Sequence, residues 1–279
     1  MKMKLVSVVM ASMLILAACA QPAPTAPAPE PEPSVEQPAD EDDAAVADVD
    51  GLDVIVMGTN AEFPPFEFIA EPGQGRFGQF SGVDVAIGMR IAEALGAELY
   101  IEDMAFEALI MSLATNQVDF VAAALTVTEE RAQEVDFSIP YYTAVQAILV
   151  AADNDTINSA EDLYGTIVGV QLGTTSDFLV SGMDGVEVMA YPRPIDAVLA
   201  TINGQIDAVM VETITAHNFL AAHPDDLRIV YDPEFFGEEF YAIAVPQGQP
   251  ELLAVINQVI EEMLASGEID ELMLYYTAD

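Results

Sequence analysis

Leu113-Ala114-Thr115-Asn116-Gln117-Val118-Asp119-Phe120-Val121 returns in outline as Leu199-Ala200-Thr201-Ile202-Asn203-Gly204-Gln205-Ile206-Asp207-Ala208-Val209. Each stretch reads as a helix end, a turn, an aspartate and a strand. Two units built on one plan explain the echo. Each strand runs into a polar loop, Thr126 to Arg131 in the first copy and Glu212-Thr213 in the second. Ligands of open α/β sheets sit beyond the carboxyl ends of the strands. The two loops are therefore expected to face one another across a cleft, while Asp119 and Asp207 belong to the scaffold.

Around this pair the chain alternates short apolar strands with helical stretches, the pattern of an α/β protein. Leu52 to Gly58 reads as a β-branched strand. Asp84 to Leu95 has helical spacing and stops at Gly96. Phe106 to Thr115 is a further helix and Val118 to Leu125 a buried strand, with Thr128 placed to cap a helix from Glu129. Ser159-Ala160-Glu161-Asp162 opens a short helix in capping style. The strand Thr166 to Val170 enters Gly173-Thr174-Thr175-Ser176 at the start of another, where free backbone N–H groups suit a carboxylate.

Charge excludes several functions. The 279 residues carry 47 acids against 7 bases, and beyond position 18 there are five arginines and no lysine. Such a surface repels nucleic-acid phosphates and anionic lipid headgroups. His217 and His223 stand six apart, off a common helical face, so no metal pair is expected. Cys19 is the one cysteine, which rules out an internal disulfide.

That cysteine ends an address. Lys2 and Lys4 precede an apolar run, Leu5 to Leu16, that is too short for a bilayer span of about 20 residues. Leu16-Ala17-Ala18-Cys19 follows. Residues 1–18 read as a lipoprotein signal peptide, with cleavage before Cys19 and lipid on its thiol. Residues 19–50 read as a lipidated tether rich in proline, alanine and acids. It has too few bulky apolar side chains to fold alone, and extended polyproline geometry would let it reach at most roughly 95 Å. The expected location is the extracytoplasmic face of the cell membrane.

From residue 51 onward the chain resembles the bacterial extracellular solute-binding proteins of family 3, which bind polar amino acids. The resemblance rests on Gly58-Thr59-Asn60-Ala61-Glu62-Phe63-Pro64-Pro65-Phe66 and Gly82-Val83-Asp84. It continues in Thr126-Val127-Thr128-Glu129-Glu130-Arg131, Val135-Asp136-Phe137-Ser138-Ile139-Pro140-Tyr141-Tyr142 and Val168-Gly169-Val170-Gln171-Leu172-Gly173-Thr174-Thr175. It implies an α/β, two-lobed periplasmic-binding-protein-like fold of type II, closing like a hinge about two crossing strands. Residues 51–142 and 244–279 would form lobe 1 and residues 147–237 lobe 2, with crossings near Thr143–Gln146 and Glu238–Ile243.

The implied function is capture of a polar amino acid and delivery to an ABC permease, without catalysis, metal or cofactor, by a monomer. Phe63 and Phe106 would sandwich the ligand side chain. Thr126 and the main chain at Ala124 would meet its amino and carboxyl groups. Arg131, helped by Thr175, would clamp the carboxylate, Glu212 would receive the ammonium, and Asn60 and Gln171 would read the side chain. Taken without the resemblance, Arg131 could equally be a surface partner of Glu134. Position 212 is more often aspartate in the family, position 86 is alanine where many relatives have aspartate, and Ala123 and Ala124 replace small polar residues. A ligand-sensing lipoprotein is the alternative, and a dehydratase of small carboxylic acids a weaker one for want of a second catalytic group. Because two amides and no extra carboxylate stand at the side-chain end, a neutral side chain such as glutamine's is expected ahead of a cationic one. Glu62 and Glu107 are the acids that could reverse this by turning inward.

Overall fold

The computed structural model describes residues 53–72 and 78–277. The signal segment, Cys19 and the tether lie outside the described residues. Within the described part there are two large sheets and a small antiparallel one made of Glu62–Phe63, Glu67–Ile69 and Phe80–Ser81. The first runs in the order Glu98–Asp103, Val54–Thr59, Phe120–Val121, Ala244–Pro246 and Val135–Phe137. Its first three strands are parallel, and Ala244–Pro246 returns antiparallel from the far end of the chain. The second runs Glu187–Tyr191, Ile167–Gln171, Ala208–Glu212, Tyr142–Ala151 and Leu227–Val230.

The ten-residue strand Tyr142–Ala151 serves two partners. Its second half pairs with Ala208–Glu212 and Leu227–Val230 inside the second sheet. Its first half pairs with Glu238–Tyr241. That antiparallel pair leads from the first sheet to the second.

Both sheets are covered on both faces, as parallel sheets require. Ala147 and Leu149 pack with Val209 and Val211 on one face of the second sheet, while Ile148 and Val150 pack with Val168 and Met210 on the other. The helices Val83–Leu95 and Pro250–Ser266 cover one face of the first sheet, burying Ile87, Ile91, Ile256 and Ile260. A Cβ at Gly88 would meet the buried Met57 sulfur at 2.5 Å, so that side chain would have to shift to admit one.

The echo in sequence is an echo in structure. Asp119 Oδ2 accepts the Val56 N–H and Asp207 Oδ2 the Ile167 N–H, each at 2.7 Å. The turns use left-handed backbone at Asn116 (φ 53°) and Gly204 (φ 65°). Both aspartates thus fasten a strand start to its neighbour, the scaffold role expected of them.

Three expected elements are shorter than the sequence implied. Of Val118 to Leu125 only Phe120–Val121 is strand, because Ala124 turns left-handed (φ 44°) and gives its N–H to Asp84 instead of a ladder. Phe106 to Thr115 divides into a 3-10 turn, Phe106–Ala108, and a helix, Leu109–Ala114. The helix expected from Glu129 is one 3-10 turn, Arg131–Gln133, halted by the strand Val135–Phe137. Its N-cap is Glu130, without a side-chain cap bond, and Thr128 accepts the Arg131 N–H at 3.1 Å from two residues before that position.

Candidate functional site

A small cavity, with about 40 Å³ of space open to a water molecule, lies where the strands of the two sheets end. All nine residues singled out for the ligand stand on its wall: Asn60, Phe63, Phe106, Ala124 and Thr126, with Arg131, Gln171, Thr175 and Glu212. They come from both sheets. Asn60, Ala124 and Thr126 follow strands of the first, whereas Gln171 and Glu212 end strands of the second.

Arg131 is buried, with 7% of its surface exposed. Its Nη1 donates to the Thr126 carbonyl at 2.8 Å and its Nη2 to the Gly173 carbonyl at 3.1 Å, while Cζ lies 5.5 Å from the centre of the Phe106 ring. Two carbonyls hold the fork but leave other N–H groups to donate, since a guanidinium carries five. Burial pulls its pKa down to about 10, and nearby Glu239 is the main influence that opposes this, so the group stays cationic. The surface pairing with Glu134 is not what the side chain does.

Glu212 is the N-cap of the helix Thr213–Ala222, accepting from Ile214 N–H at 2.9 Å and Thr215 N–H at 3.2 Å. Burial pushes its pKa up to about 7, against the pull of those two N–H groups, and Glu239 adds to the rise. A cation brought against it would restore its charge.

Asn60 and Gln171 do not stand free. Gln171 Nε2 donates to Asn60 Oδ1 at 2.9 Å across the cleft, and Asn60 Nδ2 donates to the Met104 carbonyl at 2.9 Å. Glu62 and Glu107 do not enter the cavity: Glu62 pairs with Arg193 at 3.1 Å, and Glu107 is exposed, its Cβ against Gly173.

Two carboxyl groups escaped the sequence reading. Glu67 is on the cavity wall and only 1% exposed. Burial, and then the neighbouring charge of Asp84, push its pKa well above the usual carboxylate range. Asp84, fully buried, accepts the Ala124 N–H at 2.7 Å and the Tyr141 hydroxyl at 2.8 Å through Oδ2. Glu67 Oε2 and Asp84 Oδ1 have no other protein partner, and one proton held between the two carboxyls accounts for both. Glu239, on the crossing strand Glu238–Tyr241, is the second. Its Oε2 accepts from Gln146 Nε2 at 2.9 Å, Thr175 Oγ1 at 3.0 Å and Thr126 Oγ1 at 3.3 Å. Glu67 had a signal, its place directly after Pro64-Pro65-Phe66. Glu239 had none in a chain with 47 acids.

Two lobes, a pair of crossing strands and a cavity between them lined from both are the architecture of a two-lobed binding protein. The family model of the bacterial extracellular solute-binding proteins, family 3, matches residues 55–279, and the chain belongs to that family. It is 33% identical over 225 residues to the arginine-binding extracellular protein ArtP of Bacillus subtilis, covering 80% of this chain and 85% of that one. A crystal structure of a mutant of ArgBP from T. maritima is 40% identical with a TM-score of 0.74, covering 81% of this chain and 96% of that one. An ancestral arginine-binding protein bound to glutamine is 37% identical with a TM-score of 0.74, covering 81% and 99%.

Proposed function

We propose that this protein captures an α-amino acid with a cationic side chain, as a non-catalytic receptor for an ABC importer. The observation that carries the reading is the charge balance of the cleft. One cation, Arg131, faces Glu212 and Glu67 on the same wall, with Glu239 bonded to two of the wall's threonines. An α-amino acid brings one carboxylate for Arg131 and one ammonium for Glu212. A cationic side chain then answers the single charge left on the Glu67–Asp84 pair, and a buried charge is tolerated only when paired. Asn60 and Gln171, committed to one another, support a neutral amide side chain less than their residue types implied. ArtP and ArgBP, named for arginine, favour the same reading, and the ancestral protein bound to glutamine keeps a neutral ligand within the fold's reach.

A thermal-shift screen of the standard amino acids tests this, because a ligand that binds only the folded state raises its melting temperature. Arginine, lysine or protonated histidine should give the largest rise. Glutamine alone giving a rise would overturn the cationic reading, and no rise with any amino acid would overturn the receptor reading itself.

We further propose that residues 51–142 with 244–279 and residues 147–237 move as the two closing lobes, and that the chain is held at the membrane by lipid on Cys19 and acts as a monomer. Cys19→Ala should leave the protein unprocessed or release it from membranes. Unchanged retention of the mature-sized variant in a blotted membrane fraction would overturn the anchor.

A further inference from the structure

The hydrogen-bond directions around Glu239 can be assigned one by one. Ser176 Oγ donates to Gln146 Oε1 at 2.8 Å. The Gln146 amide could be turned only by placing its oxygen against the Glu239 carboxylate, two acceptors face to face. Its Nε2 therefore points to Glu239 (2.9 Å) and also toward Thr175 Oγ1 (3.4 Å). A carboxylate accepts and cannot donate, and a hydroxyl has one proton. Thr175 must give that proton to Glu239, and so must Thr126. Both threonines stand on the cavity wall. With their protons committed, they can offer the cavity only lone pairs.

We propose that Glu239 is a positioning residue that sets the polarity of the head-group end of the cleft. Acting through Thr126 and Thr175, it makes that end accept hydrogen bonds, so the two hydroxyls receive a protonated α-amine beside Glu212 and do not help Arg131 hold the carboxylate. This rests on the amino-acid reading above and reverses the part that the resemblance implied for Thr175. The two threonines come from different sheets, Thr126 after Phe120–Val121 and Thr175 after Ile167–Gln171. Glu239 can hold both only from the crossing strand that runs between them.

The probes are L-arginine and the same guanidino acid without its α-amine, measured by calorimetry on the wild-type protein, Glu239→Met and Glu239→Gln. Methionine removes the acceptor and frees both hydroxyls, so the preference for the amine-bearing compound should fall by about tenfold or more. Glutamine keeps an acceptor oxygen while removing the charge, so E239Q should stay within about threefold of the wild-type preference, on the same arithmetic. Thr175→Val, with folding checked by thermal melt, stands in if E239M does not fold, and should lower the preference as well. Preference unchanged in E239M, or in T175V where it stands in, overturns the assignment. So does an equal fall in E239M and E239Q, which would make charge and not hydrogen-bond direction the cause. Wild-type protein binding neither compound would overturn the ligand reading and this role together.

Discussion

Arg131→Ala should weaken amino-acid binding by about 30-fold to several-thousand-fold, the effect of roughly 2–5 kcal/mol expected when one side of a buried charge pair is removed. The expected loss is large because nothing else on the described cavity wall is cationic. Thr126 and Gly173 would also lose the donors that now satisfy their carbonyls, so a folding control belongs beside the calorimetry. Arg131→Lys should recover only part of the affinity, since an ammonium cannot reproduce a planar fork shared between two carbonyls and a carboxylate. A loss below tenfold in Arg131→Ala would show that the carboxylate is held elsewhere.

Acidification should stabilise this protein. Glu212, at about 7, and Asp84, at about 6, both bind their protons more tightly when folded than their ordinary values of 4.5 and 3.8. The native state therefore holds more protons than the unfolded chain between about pH 4 and 7, and stability falls as pH rises through that window. It is fully present below the unfolded values and lost above the folded ones. Glu67, pushed upward by burial, works in the same direction. Taken together, the two groups with stated values should make the ligand-free protein about 2–4 kcal/mol more stable at pH 5 than at pH 8. Urea midpoints at the two values measure it. Glu212→Gln should remove about two thirds of the difference, because its amide has no proton to lose. Equal midpoints at both values would show that these carboxyls are hydrated and ordinary. The same proton inventory predicts that a cationic ligand displaces protons from Glu212 on binding.

The sequence by itself determined whatever is local. Proline and acid composition set the first fifty residues apart from the α/β pattern that follows them in the sequence. Gly96 ends its helix in left-handed backbone (φ 69°), as a glycine at that place should. The repeated helix-turn-aspartate-strand pattern gave two sheets with matching aspartate bonds, because a short turn and a strand start are set by neighbours in the chain. The nine wall residues were legible through the resemblance to family 3, and the loops carrying Thr126, Arg131 and Glu212 also through their place beyond strand ends, where this architecture puts ligands.

Tertiary structure alone decided the partners of those residues. Asn60 and Gln171, 111 positions apart, satisfy one another, and residue type gave no indication of it. Glu62 and Glu107 stay outside the cavity while Glu67, a few residues from the first, lies on its wall. The sharpest case is Glu238-Glu239, two identical side chains in one strand. Pairing of Glu238–Tyr241 with Tyr142–Ala151 leaves Glu238 exposed and turns Glu239 toward Thr126 and Thr175. Successive residues of a strand point to opposite faces, so a shift of register by one would exchange them. That register is fixed by contacts between segments nearly a hundred residues apart, and no local pattern among so many acids could announce it.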